Sequence, residues 1–185
     1  MPRSAPRAEQ AREVLDWCRH ALQELRQQPT GMAWIVKWAG ALALLRAVGE
    51  ALKNVDVQAN SALREARRKW KRRENPDSQA IFKKFIQYDT NRLLHYAEVK
   101  TGQSAMVFAQ SAVAVATAYG EDRTPRPPAP PVPPPIYSYH MNGGPFHGRD
   151  PRDIVQEAID WWQQQIDAME ADAAQLLQAG TDRRG

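Results

Sequence analysis

Seven cations crowd positions 64 to 73 of this sequence: Arg64, Arg67, Arg68, Lys69, Lys71, Arg72 and Arg73, with Trp70 among them. That density exceeds what solubility needs and would neutralise several phosphates, the sequence-independent term in nucleic-acid binding. The plainer alternative is a solvated face, or a helix end whose dipole the cations complement. A second constellation lies in Asp89-Thr90-Asn91-Arg92-Leu93-Leu94-His95. A helix turns about 100° per residue, so Asn91 and His95 sit about 40° apart and share a face. With Phe82 set at zero, Phe85, Ile86 and Leu93 fall within about 60°, while Asn91 lies at about 180° and His95 at about 220°. Tyr88 and Val99 flank the pair, so that second face is partly apolar. Such a face suits a cleft against a second copy of the chain; the bland reading is a histidine that hydrogen-bonds at a surface.

Other polar residues carry less. Arg46 and Glu50 are four apart on an otherwise apolar helix, which predicts an ion pair between them. Gly143-Gly144-Pro145-Phe146-His147-Gly148-Arg149 precedes a helix start and would present backbone N–H groups and Arg149 to an anion. It fits no phosphate-loop pattern and reads better as a turn with a basic residue. His20, His140 and His147 are scattered. No metal-ligand spacing, nucleophile elbow or dinucleotide fingerprint is present, so neither metal nor cofactor is expected, and no small-molecule substrate is evident.

These residues need elements to position them. Ala11, Val14, Leu15, Cys18, Ala21, Leu22 and Leu25 recur at three-and-four spacing and predict a helix over 8–28, ended by Pro29-Thr30-Gly31. A second helix, over 32–54, is apolar nearly all round and is expected at the centre of a bundle, covered by its neighbours. A thinly apolar, basic helix follows over 57–73, then a turn and cap at Asn75-Pro76-Asp77-Ser78 and a fourth helix over 79–100. Val113, Val115, Thr117 and Tyr119 alternate as in a strand, although their alanine neighbours leave helix open. Positions 124–135 hold eight prolines and form an extended connector, either a stiff spacer or a ligand for an SH3-like partner. Ile136 to Met141 reads as a strand, and Asp150-Pro151 opens a closing helix that runs to about Ala179. Trp161 and Trp162 are adjacent on that helix and cannot share a face, so one is expected at the surface or a partner. The expected fold is mainly α: an antiparallel four-to-five-helix bundle with a small two-stranded β appendage before the last helix. One domain over 8–180 divides into the bundle (8–102), a strand, Pro-rich connector and hairpin (103–149) and the closing helix (150–180), between a basic tail at 1–7 and a short tail at 181–185.

Composition agrees with one domain: 185 residues, 43% hydrophobic and 25% charged, enough to bury a core. The net charge of +4 is mild, so its distribution matters more than its size. Cys18 is alone, which excludes an internal disulfide and a cysteine-rich zinc site. No apolar run follows the basic N-terminal residues as a secretory signal would require. Met32 to Val48 contains Lys37 and Arg46 and reads as too short and too charged for a membrane span. A cytoplasmic protein without membrane contact is the expectation.

The helix bearing Leu44-Leu45-Arg46-Ala47-Val48-Gly49, and Phe82-Lys83-Lys84-Phe85-Ile86 leading into Thr90-Asn91-Arg92-Leu93-Leu94-His95, resemble the HEPN superfamily of helical bundles over roughly residues 8 to 102. That family's pattern is arginine, a polar residue often asparagine, three variable residues, then histidine. Asn91 and His95 match it, and Thr90 stands where the arginine would be. Active members resemble metal-independent ribonucleases that dimerise to bring two such motifs together. The resemblance implies that His95 handles a proton as the 2′-hydroxyl attacks the adjacent phosphate, with Asn91 orienting it. The arginine would stabilise phosphoryl charge, and losing one such donor commonly costs about 100-fold or more. Arg92 points about 200° away, so Arg46 would have to reach in from the neighbouring helix. The leading expectation is a homodimeric HEPN-like protein that binds RNA or another partner in its cleft, with weak or no catalysis. The alternatives are a metal-independent ribonuclease of toxin or defence type using His95, and a non-enzymatic scaffold.

Overall fold

Helix α1 (Glu9–Arg26) buries Ala11, Val14, Leu15, Cys18, Leu22 and Leu25, the stripe its sequence spacing predicts. Its first turn has no side-chain cap of its own. In the computed structural model, which describes residues 6–72, 80–96, 99–106 and 136–182, distant carboxylates take that role. The N–H groups of Gln10 and Ala11 donate to Asp56 Oδ1 and Oδ2 at 3.0 and 2.9 Å, and that of Ala8 donates to Glu170 Oε1 at 2.7 Å. A carboxylate there satisfies orphan donors and complements the positive end of the helix dipole.

Helix α2 (Gly31–Ala51) starts after a turn in which Gln28 and Gly31 both take positive φ, 56° and 54°. It buries Trp34, Trp38, Ala41, Leu42, Leu45 and Val48. The expectation that neighbours cover it on every side is not met: Met32 is 71% exposed and Val36 62%. Helices α1, α5 and α6 pack against it, and they leave these residues uncovered. Nor does the helical backbone break between Asn54 and Val57. A π-helical turn over Leu52–Asp56 carries it into α3 (Val57–Ala59). The break falls at Asn60, whose backbone is extended and whose Oδ1 accepts the N–H groups of Ala62 and Leu63 at 2.9 and 3.2 Å, capping α4 (Ser61–Arg72). The continuous Gly31–Ala59 helix is therefore longer than its apolar stretch suggests, and by length and composition alone it is long and apolar enough to cross a membrane, a test that a core helix also passes. One third (33%) of its most apolar window is buried, within the same core that α1 and α6 share.

A second π-helical turn, Phe82–Gln87, leads into α5 (Tyr88–Tyr96) and buries Phe85 and Ile86. Residues 99 and 100 are not helical, so the helix falls short of the expected 100, and strand β1 (Thr101–Met106) follows. β1 pairs antiparallel with β2 (Ile136–Met141), Thr101 opposite Met141. The alternating segment at Val113–Tyr119, the Pro-rich connector and the turn at Asn75–Ser78 lie outside the described residues. Trp34 Nε1 donates to Thr101 Oγ1 at 2.9 Å and the Tyr139 hydroxyl to the Pro29 carbonyl at 2.9 Å, so both strands are tied to the start of α2. Helix α6 (Pro151–Asp182) closes the mainly helical fold along α4 and α1.

On α6 both tryptophans are buried, Trp161 at 7% exposure and Trp162 at 2%, so neither takes the surface position that their adjacency predicts. Phe82 explains this. It stacks on Trp161 with ring centroids 5.4 Å apart and meets the edge of Trp162 at 5.7 Å, covering both diverging rings.

Arg12 Nη2 joins α1 to α6 through Asp167 (2.5 Å) and Glu170 (2.6 Å). Burial pushes the Glu170 carboxyl up, but the hydrogen bonds from Arg12 and Ala8 outweigh it and hold the group below the usual range. Asp167 is also lowered, by Gln163 and then Arg12. Carboxyls depressed on folding stabilise above their unfolded pKa, and that stability fades as pH falls through the folded one. The melting temperature should therefore drop on acidification from pH 6 to pH 3. Arg12→Ala should cost about 1 kcal/mol at neutral pH and less at pH 3, checked by thermal denaturation across that range. Burial also pushes the Cys18 thiol up to about 12. Iodoacetamide at pH 8 should leave the folded protein unlabelled and alkylate it once denatured.

Candidate anion-binding cleft

Between α2, α4, α6 and the two π-helical turns opens a cleft of about 310 Å³. Four cations line it: Arg46 from α2, Lys53 from the first π turn, and Arg67 and Lys71 from α4. Glu50 is the one carboxylate among its lining residues. Trp70, Phe82 and Trp162 supply aromatic wall, and Gln87 a neutral amide. Both π turns border this cleft, the first through Leu52 and Lys53, the second through Phe82, Ile86 and Gln87. Each π turn places an extra residue in the helical ladder, a feature frequent at functional sites.

Local spacing aims these side chains. Arg67, Trp70 and Lys71 stand at i, i+3 and i+4 and so share one face of α4. Trp70 Nε1 donates to Gln165 Oε1 at 2.7 Å, fixing that face against α6. Desolvation holds the Arg67 guanidinium below its ordinary pKa, against the weaker opposing pull of Glu50. Among the described residues no carboxylate is within ion-pair distance of Arg67, Lys71 or Arg46. At the floor, Trp162 Nε1 donates to the Leu45 carbonyl at 2.8 Å. Gly49 admits the ring: a Cβ there would lie 2.9 Å from Trp162 Cη2.

The motif residues meet the cleft at its edge. Arg46 Nη1 donates to Asn91 Oδ1 at 2.5 Å, joining α2 to α5. The pair expected between Arg46 and Glu50 does not form. Arg46 turns to α5, while the exposed Glu50 accepts a hydrogen bond from Asn54 at 3.0 Å and lies 3.7 Å from Lys53. Thr90 is buried at 1% exposure, and its hydroxyl donates to the Ile86 carbonyl at 2.5 Å and lies 3.4 Å from that of Leu42. Position 90 thus faces the α2–α5 interface, where a small side chain packs and an arginine would not. His95 occupies α5 one turn after Asn91; its side chain lies outside the described part of the structure.

The basic run divides by job. Arg67 and Lys71 reach the cleft. Arg64 donates to the carbonyls of Val57 and Gln58 at 3.3 and 3.1 Å, closing the end of α3. Arg68 pairs with Glu65 at 3.3 Å. Lys69 is half-buried, Arg72 is exposed, and Arg73 lies outside the described residues. In the glycine-rich turn Arg149 pairs with Glu157, and the Asp150 carboxylate accepts the Arg152 N–H at 2.8 Å at the start of α6, as a turn with a basic residue would. Sequence reasoning missed Lys53, Phe82, Gln87 and Trp162 as cleft residues. The signal within reach was the spacing of Arg67, Trp70 and Lys71, which separates one face of α4 from the rest of its charge.

No family model matches the chain, and neither a curated protein nor a solved structure is detectably similar to it. The HEPN resemblance rests on its motif residues alone.

Gly49→Ala forces a methyl against a buried, hydrogen-bonded indole. It should destabilise the protein by about 1–3 kcal/mol and alter tryptophan emission, read by denaturant unfolding and fluorescence.

Proposed function

We propose that this protein binds RNA through the cationic cleft, as a HEPN-like homodimer with weak or no catalysis. On this reading the helices form an antiparallel four-to-five-helix bundle with a two-stranded appendage, working in the cytoplasm. One observation carries it: four cations and a single carboxylate line a cleft walled by three aromatic rings. Phosphates neutralised by Lys and Arg release counterions, and bases stack on aromatic faces whatever their sequence. Single-stranded RNA should bind with an affinity that falls linearly on a log–log plot against salt. Arg67→Glu and Lys71→Glu should each weaken binding and lower the slope by about one, measured by fluorescence anisotropy. No binding at low ionic strength would end this reading.

A ribonuclease is the second reading, favoured by the 2.5 Å contact of Arg46 with Asn91. That contact brings a guanidinium to the polar residue of the motif, where Thr90 supplies none. In this scheme His95 moves the proton, Asn91 orients it, and Arg46 stabilises charge on the phosphoryl oxygens. His95→Ala should abolish RNA cleavage in chelator-containing buffer with the protein still folded, and Arg46→Ala should slow it about 100-fold or more while lowering the melting temperature, because the α2–α5 hydrogen bond is lost. Cleavage indifferent to both changes would remove the reading.

A further inference from the structure

We infer that the cleft holds one nucleoside phosphate: an unstacked base between aromatic rings, with its phosphate on the unpaired cations. The inference takes its choice of site from the RNA reading and adds what enters it. Size is the first argument. About 310 Å³ is at the lower end of small-ligand sites, enough for one nucleotide and too little for paired bases in a helix. The second argument is the arrangement of side chains. Trp70 and Phe82 are half-buried and keep part of their ring surface on the cleft, while the nearly buried Trp162 closes the floor. Gln87 and Glu50 border the same space and offer an amide and a carboxylate to the polar edge of a base.

The third argument is electrostatic. Arg67 is half-buried, its guanidinium partly stripped of water, and among the described residues it has no ion-pair partner. No carboxylate lies at ion-pair distance from this desolvated cation and Glu50 offsets its burial only in part, so a phosphate arriving between Arg67 and Lys71 would supply a closer counter-charge. Arg46 is already oriented by Asn91 and adds a third donor without further ordering. A bare phosphate would leave the aromatic walls unused, and a nucleoside without phosphate would leave the cations unpaired. The recognised chemistry is therefore base plus phosphate. Its source is either a free mononucleotide or an unpaired nucleotide of an RNA strand.

The test uses the full chain and follows tryptophan fluorescence during titration with adenosine and guanosine monophosphates, the two nucleosides, inorganic phosphate, a single-stranded oligoribonucleotide and its duplex. The nucleoside monophosphates should bind at least about tenfold more tightly than nucleoside or phosphate alone. They should compete with the single strand, and the duplex should bind more weakly. Arg67→Gln should weaken monophosphate binding about tenfold with unchanged melting. Trp70→Leu should weaken it too, and Trp70→Phe should restore most of it. If single strands bind but monophosphates neither bind nor compete, the inference fails and the RNA reading stands. If monophosphates bind in this pattern and no RNA does, the inference holds with a free nucleotide as ligand and the RNA reading fails. If nothing binds, both fail.

Discussion

The contact between Trp162 and α2 is the constraint on which the rest depends. The indole lies against Gly49, where a side chain of even one carbon would collide, and its N–H is bonded to the Leu45 carbonyl. That contact seats α6 across α2. Phe82 then fits over Trp161 and Trp162, which sets where the second π turn runs. Trp70, tied to Gln165 of α6, follows and brings the basic face of α4 alongside. The cleft is the space between α2, α4, α6 and the two π turns, with the Trp162 ring at its floor. Its apolar floor is a packing result, and among the described residues Arg67 and Lys71 are cleft cations with no carboxylate at ion-pair distance.

Charge is distributed to match. The acids of the α1–α6 side are engaged: Asp56 and Glu170 hold the start of α1, and Asp167 and Glu170 hold Arg12. Such arrangements satisfy buried donors and leave little net field. In the cleft, Arg46, Arg67 and Lys71 meet no carboxylate at ion-pair distance among the described residues. A net charge of only +4 thus becomes a local excess, and low-dielectric walls strengthen such a field.

How much of this was legible in the sequence depends on the range of the interaction. The stripe of α1 and the start of α6 at Pro151 follow from spacing within one helix, and local rules reach them. Asp56 capping a helix 45 residues earlier, or Phe82 covering both tryptophans, is a long-range event with no periodic trace. The same limit explains the overturned pairing of Arg46: Glu50 is its neighbour on the helix, but Asn91 is its neighbour in the fold. The break expected between Asn54 and Val57 moved to Asn60 because a π turn absorbs an extra residue without ending the helix, and no composition rule marks it. Within the cleft, Arg46, Arg67, Trp70 and Lys71 were visible as residue types. Their convergence was not.

The first π turn has a consequence beyond shape. Within its five residues it sends Lys53 toward the cleft and Asp56 to the opening of α1. Winding it back to ordinary α-helix would excise one residue from the frame and rotate everything downstream by about 100°. Asp56 would swing off the amides it clasps, leaving Glu170 alone at the start of α1. One inserted position thus works as a phase key, letting a single long helix serve the scaffold and the pocket at once.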